Sequence, residues 1–427
     1  MTAPHPAAAP PPRPFGALRH RNFRLFLGGQ FVSLCGTWMQ SVALGWLVLE
    51  LTDSAFLVGL VTALGAAPIL LFTLYGGLIA DRVNKRRALM LLQSGMLLDA
   101  ALLGTLTVLG WVTPGWIMAL AVMHGTLAAF EIPIRQAFLI EMVGRDDLMN
   151  AIALNSSAFN LSRVFGPALA GGVLAWLGAA ACFYLNATSF LAVVAGLSRI
   201  RIAGGGAPRA PGVRARFRDG ITWIHQDRWA RTLVGVTAVV GIFGSATVAL
   251  LPVYARNALG TGAGGYGGLS AAFGLGAASG ALLVAGAGSR FKRGPVALGA
   301  GTALGAALAL IAVSGFYPLS FVLLMVGGLA MALNGIMTNS TLQLEAPDHL
   351  RGQVVGMYAL IVVGLAPLGA LPAGWLADRL GVPAVIGMSG VVVTGAALLA
   401  AAAHRARGRK GEGHQGARPT REASDEG

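Results

Sequence analysis

The sequence has 427 residues, of which 55% are hydrophobic and only 11% are charged, and its formal net charge is +14. A soluble domain carries about 25% charged residues, so this composition excludes an ordinary soluble protein. Nucleic-acid binding is not indicated, because 27 of the 31 Lys and Arg residues lie in the terminal segments or in every second connection between apolar runs. That is the positive-inside distribution, and it predicts that both termini are cytoplasmic.

Apolar runs of about 20 residues recur along the chain, and each is long enough to cross a bilayer as a helix. The runs are continuously apolar, which favours helices over the alternating strands of a barrel. We predict an all-α membrane protein with twelve transmembrane helices, approximately over residues 25–49, 57–80, 88–110, 114–134, 150–176, 180–198, 232–254, 266–288, 295–316, 319–340, 354–376 and 383–403.

The longest predicted connection divides these helices into two sets of six. It contains an amphipathic segment that starts at Phe217, which we expect to lie on the cytoplasmic membrane surface. The predicted organisation is a Pro-rich cytoplasmic N-terminus, a first six-helix bundle, a cytoplasmic linker, a second six-helix bundle and a disordered cytoplasmic tail, at residues 1–22, 23–200, 201–228, 229–404 and 405–427.

The connection after the second span is the most informative motif, and it reads Gly77-Leu-Ile-Ala-Asp-Arg-Val-Asn-Lys-Arg-Arg. A basic cluster between two apolar runs indicates a tight cytoplasmic turn. The corresponding connection in the second half has Ser289 in place of the acid. A closer repeat, Gly374-Trp-Leu-Ala-Asp-Arg-Leu-Gly, ends the eleventh span. Parity places that repeat outside the cell, so we interpret it as a packing segment and not as a gate.

Six residues of the first motif match the loop pattern Gly-x-Leu-Ala-Asp-Arg-x-Gly-Arg-Lys of the major facilitator superfamily, which the chain resembles: Gly77, Ala80, Asp81, Arg82, Lys85 and Arg86. The segments Phe23-Arg-Leu-Phe-Leu-Gly-Gly-Gln and Pro133-Ile-Arg-Gln-Ala-Phe are similar to the branch that contains enterobactin exporters and macrolide-type efflux carriers. The resemblance implies two pseudo-symmetric bundles and transport by alternating access.

The resemblance also implies a cytoplasmic gate formed by Gly77, Asp81, Arg82 and Arg86. Asp81 would bind backbone N–H groups at a neighbouring helix N-terminus, where negative charge is favoured. The alternative is that the basic residues only set the topology. In the fifth span, Gly166, Pro167, Gly171 and Gly172 resemble a motif associated with antiporters. Their alternative role is close helix packing through small residues with a proline kink.

Charged residues within the apolar spans are costly to insert and indicate either function or pairing. Asp99 lies at the middle of the third span and Arg163 near the middle of the fifth. Asp99 could exchange protons, form a structural ion pair with Arg163, or remain neutral in a polar pocket. In the fourth span, His124, Glu131 and Arg135 fall on one helical face. Glu131 is the first candidate for a proton-coupling carboxylate with His124 as its relay, and a structural pair with Arg135 is the alternative.

The first and tenth spans carry polar stripes of the same spacing. In the superfamily, the first, fourth, seventh and tenth spans line a central cavity, so the resemblance predicts cavity-lining roles for Gln30, Thr37, Ser41, Asn334, Thr338, Thr341 and Glu345. The sequence contains no spacing typical of a metal site, a nucleotide-binding loop or a catalytic nucleophile. We therefore expect no metal, no cofactor and no enzymatic activity.

These patterns favour a multi-pass membrane protein with a hydrated pathway, and the resemblance implies a transporter of the bacterial cytoplasmic membrane that exports siderophore-like or drug-like amphiphiles by proton antiport. Its expected partners are a small-molecule substrate, protons and the lipid bilayer, with no nucleic acid, and we expect it to be a monomer. An importer or lipid-moving carrier of the same fold is the alternative, and a non-transporting membrane scaffold is a remote one.

Overall fold

The computed structural model describes residues 15–80, 82–144, 146–200, 217–287, 290–347 and 350–415, and within these ranges the ordered elements are helices. A short 3-10 helix, Gly16–Arg19, precedes the α-helices. These are α1 (Arg21–Thr52), α2 (Ala55–Ala80), α3 (Lys85–Val108), α4 (Pro114–Val143), α5 (Leu148–Arg199), α6 (Phe217–Gln226), α7 (Arg228–Val253), α8 (Ala263–Ala287), α9 (Arg293–Ser314), α10 (Tyr317–Glu345), α11 (Arg351–Gly364), α12 (Ala366–Leu380) and α13 (Val382–Gln415).

Ten helices of the described chain are long and apolar enough to cross a membrane, which confirms the prediction of an all-helical membrane protein. The 52-residue α5 is interrupted at Gly178, whose φ of 80° and ψ of 176° are not helical. The helices α11 and α12 are shorter and meet at Leu365. The final helix, α13, reaches Gln415 and so extends into the segment for which the sequence predicts a disordered tail.

The connections at one end of the bundle each contain a residue with positive φ, a conformation that lets the chain reverse direction. Asp53 at the end of α1 has a φ of 50°, and glycines occupy the other positions, Gly110, Gly178, Gly260, Gly315 and Gly381. We call this the turn end. The opposite end carries Gly16–Arg19 and the basic connections, and we call it the basic end.

The helices form two halves, α1–α5 and α7–α13, which share an apolar core only toward the turn end. One buried cluster there combines side chains of the first half, such as Trp46 and Val58, with side chains of the second half, such as Leu250 and Tyr254. Toward the basic end, each half has its own cluster, around Phe138 in the first and around Leu342 in the second. Among the described residues, the halves are thus joined by apolar packing at the turn end.

Glycines allow helix backbones to approach closely where the two halves meet. A Cβ atom on Gly59 of α2 would lie 2.4 Å from the Ala370 carbonyl oxygen of α12. A Cβ atom on Gly267 of α8 would lie 2.2 Å from the Cα atom of Gly171 in α5. Without a hydrophobic effect between helices in lipid, such close backbone packing provides much of the contact energy.

The same packing occurs inside the second half, and it generates a stability prediction. A Cβ atom on Gly328 of α10 would lie 2.0 Å from the Phe273 carbonyl oxygen of α8, whereas Gly299 of α9 has nothing within 4 Å of the same position. We expect Gly328→Val to lower the free energy of unfolding by about 1–3 kcal/mol through overpacking, and Gly299→Val to change it much less. Thermal melting of the purified protein in detergent measures both, and equal melting temperatures for the two variants would contradict this packing.

Candidate functional site

A cavity of about 530 Å³ lies between the two halves, beside their shared apolar core. The first half contributes side chains from α1 to α5, and the second half contributes side chains from α7, α8 and α10. Most of the wall is apolar, and a volume of this order suits a drug-sized molecule. The second half adds the aromatic, thioether and hydroxyl groups of Tyr266, Phe273, Met331, Ser245 and Ser270.

All of the charged side chains that line the cavity belong to the first half, and two of them form a pair. The Nδ1 atom of His124 in α4 lies 3.3 Å from the Oδ2 atom of Asp99 in α3. The Asp99 side chain is 1% exposed, and that of His124 is 25% exposed. The second carboxylate oxygen of Asp99, Oδ1, is buried and accepts no hydrogen bond from the described residues. A buried carboxylate with an incomplete set of hydrogen bonds is costly as an anion.

Arg163 of α5 is the third charged residue of the cavity wall, and it packs against an aromatic ring instead of an acid. Its guanidinium carbon lies 5.2 Å from the centre of the Trp38 ring. Within the described part of the chain, no carboxylate lies within 4 Å of it. The sequence left open a pair between Asp99 and Arg163, but in the described structure the partner of Asp99 is His124 of α4.

Glu131 and Arg135 form a buried ion pair away from the cavity. Arg135 Nε donates a hydrogen bond of 2.8 Å to Glu131 Oε1, and Gln93 Nε2 donates one of 3.4 Å to the same oxygen. Both charged side chains are less than a tenth exposed. Neither residue lines the cavity, although His124 on the same face of α4 does. The helical stripe that the sequence shows is thus divided between two environments, one at the cavity and one packed against α3.

The polar stripe of α1 is divided in the same way. Thr37 and Ser41 line the cavity, whereas Gln30 is buried outside it, and its Oε1 atom accepts no hydrogen bond from the described residues. The sequence analysis missed Gln40, which lines the cavity and accepts a hydrogen bond of 2.7 Å from Asn186 Nδ2 of α5. A glutamine next to the stripe in an otherwise apolar run was the available signal.

The polar residues of α10 hold the second half together instead of lining the cavity. Asn334 and Thr338 accept hydrogen bonds from Thr237 of α7, and Asn334 also donates to the Ala297 carbonyl of α9. Thr341 bonds to its own helix at the Met337 carbonyl. Glu345 is exposed at the end of α10. Met331 is the residue of α10 that reaches the cavity wall.

The four residues of the antiporter-like motif differ in their surroundings. Gly166 lies against α1, since a Cβ atom there would be 2.5 Å from the Trp38 Cβ atom. Pro167 lines the cavity. Gly171 packs against Gly267 of the other half, whereas Gly172 has open space around it. Three of the four residues therefore shape the region where α5 meets α1, α8 and the cavity.

Gly77, Arg82 and Arg86, three of the residues expected to form the cytoplasmic gate, lie at the basic end. Arg86 donates from Nε to the Leu197 carbonyl oxygen at 2.6 Å and from Nη2 to the Ser198 carbonyl oxygen at 2.7 Å. These are the last carbonyls of α5, so a cation there complements the negative end of the helix dipole within the first half. Gly77 has open space around it and Arg82 is exposed. Asp81 lies outside the described residues.

The sequence and the fold of the chain resemble those of known membrane proteins. A family profile described as transmembrane secretion effector matches residues 13–419. The chain is 30% identical over 370 residues to the multidrug efflux pump Tap of Mycolicibacterium fortuitum, an alignment that covers 84% of this chain and 90% of that protein. It is 26% identical to the enterobactin exporter EntS of Shigella boydii, over 83% of this chain and 86% of that protein.

The solved structures that it resembles show the same fold. The crystal structure of the nucleoside transporter NupG superimposes with a TM-score of 0.72. That superposition covers 90% of this chain and 99% of NupG, at 13% sequence identity. An identity this low indicates a shared fold and carries no information about what is transported.

The buried pair of Glu131 and Arg135 leads to a second stability prediction. We expect Glu131→Gln to lower the free energy of unfolding by about 3 kcal/mol, because Arg135 then stays buried without a counter-charge. The double variant Glu131→Gln with Arg135→Met removes both charges and should recover most of that loss. Thermal melting in detergent measures both variants. If the double variant melts no higher than the single one, the uncompensated charge of Arg135 is not the cause of the lost stability.

Proposed function

The chain belongs to the transmembrane secretion effector family of the major facilitator superfamily, and we propose that it exports amphiphilic small molecules by alternating access, driven by proton antiport. The family and the relatives described above are transporters. One relative is named for multidrug efflux and another for enterobactin export, which supports drug-like or siderophore-like cargo for this chain. We propose that it acts as a monomer.

We propose twelve membrane spans, with both termini in the cytoplasm of a bacterial inner membrane. The interruption of α5 at Gly178 supports counting that helix as two spans, and α11 with α12 supports one broken span. The basic residues support the orientation, because 27 of the 31 fall in the terminal segments or in connections of one parity. In this orientation the basic end is cytoplasmic and the turn end is extracytoplasmic.

The cavity between the halves is the observation that carries the proposal. It combines an apolar and aromatic wall, which suits the hydrophobic part of an amphiphile, with the charged groups Asp99, His124 and Arg163. The halves share their apolar core at the turn end and have separate cores at the basic end. This arrangement fits a state in which cargo enters from the cytoplasm.

Asp99 and His124 are the residues that we propose to couple cargo movement to protons. They lie in the cavity, where an arriving cargo molecule and a proton can compete for the same carboxylate. A proton on Asp99 removes its negative charge and so changes its interaction with both His124 and the cargo. Glu131 remains a less direct candidate, since its carboxylate is already paired with Arg135 and does not line the cavity.

The cytoplasmic gate stays part of the proposal, with Asp81 as its acid and with Gly77, Arg82 and Arg86 around it. Arg86 donates hydrogen bonds to the Leu197 and Ser198 carbonyl oxygens. These bonds support an indirect role for Arg86, in which it holds the start of α3 against the end of α5. A firmly held α2–α3 connection would present Asp81 to the second half when the basic end closes.

Export is tested with everted membrane vesicles that are energised so that their interior is acidic. We expect vesicles that contain the protein to accumulate one or more of three probes, ethidium, tetracycline and enterobactin, and to lose them when a protonophore is added. Vesicles without the protein are the control. Accumulation in right-side-out vesicles alone would favour the importer alternative, and binding without movement of any probe would favour the scaffold.

The proton-coupling pair is tested with Asp99→Asn and with Asp147→Asn as a matched control. Asp147 also pairs with a histidine, His20, at 2.8 Å, but at the basic end outside the cavity. We expect Asp99→Asn to reduce uphill accumulation at least tenfold, because the neutral side chain no longer exchanges a proton, while exchange of labelled for unlabelled probe persists. Asp147→Asn should retain both activities. Normal uphill export by Asp99→Asn would exclude Asp99 as the proton-coupling carboxylate and leave Glu131 as the candidate.

A further inference from the structure

The short turn between α1 and α2, at Asp53 and Ser54, is held from the opposite half of the protein. Its two neighbouring helix ends, the C-terminus of α1 and the N-terminus of α2, both need hydrogen-bond partners that their own helices do not provide. In this structure α12 and the end of α7 provide several of them. The turn is therefore a point where polar contacts cross between the halves.

Asp378 of α12 supplies the partners for the N-terminus of α2. Its Oδ1 atom accepts a hydrogen bond of 2.7 Å from the Ala55 N–H. Its Oδ2 atom accepts bonds of 3.0 Å from the Phe56 N–H and 2.8 Å from the Ser54 hydroxyl. Ser54 in turn accepts a bond from the Leu57 N–H within α2. The cap of α2 is thus completed by a carboxylate that lies 324 residues away from Ser54 in the sequence.

Arg256 supplies the partners for the C-terminus of α1. It lies in a π-helical turn, Tyr254–Ala258, that follows α7. Its Nη1 atom donates a bond of 3.1 Å to the Leu49 carbonyl oxygen, and its Nη2 atom forms an ion pair with Asp53. A π turn adds a residue to the helical repeat and so changes the direction in which later side chains point. Here it directs Arg256 toward the other half.

The two contacts match the helix dipoles that they meet. An anion lies at the positive N-terminus of α2 and a cation lies at the negative C-terminus of α1, which is the favourable sign in both cases. The sequence around Asp378 also repeats that around Asp81, since Gly77, Ala80, Asp81 and Arg82 correspond to Gly374, Ala377, Asp378 and Arg379. One copy ends α2 at the basic end, and the other ends α12 at the turn end.

We propose that Asp378 and Arg256 form a latch that holds the two halves closed at the turn end, and that its release opens the cavity there. The latch deepens the proposed function, on which it rests, because it identifies residues that determine when cargo is released. Asp378 and Asp53 are exposed, so water replaces their partners as soon as the halves separate. The latch therefore biases the closed state without making it permanent.

The latch is tested by the accessibility of a single cysteine in the cavity. Ser270 of α8 lines the cavity and differs from cysteine by one atom, so Ser270→Cys is introduced after Cys35→Ser and Cys182→Ala remove the native thiols. The labelling rate is measured with a membrane-impermeant maleimide added outside intact cells. We expect Asp378→Asn to raise this rate roughly fivefold, because the amide cannot accept all three hydrogen bonds, and Arg256→Gln to raise it in the same direction.

Arg379→Gln is the matched control, since Arg379 is next to Asp378 but stacks on Trp375 of its own helix, with its guanidinium carbon 3.5 Å from the ring centre. We expect Arg379→Gln to leave the labelling rate within about twofold of the parent rate. A twofold change corresponds to less free energy than the loss of a helix cap. Ser54→Ala removes one bond to Asp378 and serves as a milder variant if Asp378→Asn does not accumulate in the membrane.

The outcomes separate this proposal from the export proposal. A folded Asp378→Asn protein that labels at the parent rate would overturn the latch, whatever the protein transports. Increased labelling of Asp378→Asn together with no probe movement by the parent protein would retain the latch and reject export of those probes. Folding of each variant is checked by size-exclusion chromatography before labelling.

Discussion

Contact between the two halves at the turn end is the constraint on which the rest of this structure depends. The shared apolar cluster around Trp46 and Leu250 joins the halves there, and close glycine contacts such as that of Gly59 with Ala370 bring their backbones together. At the basic end, each half has its own apolar cluster. The cavity lies between the halves, beside the core that they share.

The cavity is electrically asymmetric, and that asymmetry agrees with the proposed mechanism. Its charged groups, Asp99, His124 and Arg163, come from the first half, while the second half contributes apolar, aromatic and hydroxyl groups. The low dielectric of such a site strengthens every change of charge within it. In the proposed mechanism, protonation of Asp99 changes the affinity for cargo, and the apolar wall of the second half accommodates the hydrophobic part of the cargo.

The sequence predicted much of the fold and a smaller part of the site. Continuous apolar runs and alternating basic connections were sufficient for an all-helical membrane protein, since both follow from the cost of exposing polar groups to lipid. The cavity-lining positions Thr37, Ser41, Asp99 and His124 were among the candidates. Asn334 and Thr338 were candidates because they lie on a polar stripe of α10, but they accept hydrogen bonds from Thr237 of α7. A polar stripe on a membrane helix can bond to a neighbouring helix as readily as it can line a cavity.

By itself, the sequence determined the helical membrane architecture and the residues that are costly to bury in lipid, because both are local properties of composition and spacing. Only the tertiary structure decided the partners. Asp99 meets His124 and not Arg163, and Asp378 completes the cap of α2 from the far half, because these pairs depend on how α3, α4 and α12 are placed in space. A motif read as a packing segment thus lies at a contact between the halves, a relation that no local pattern encodes.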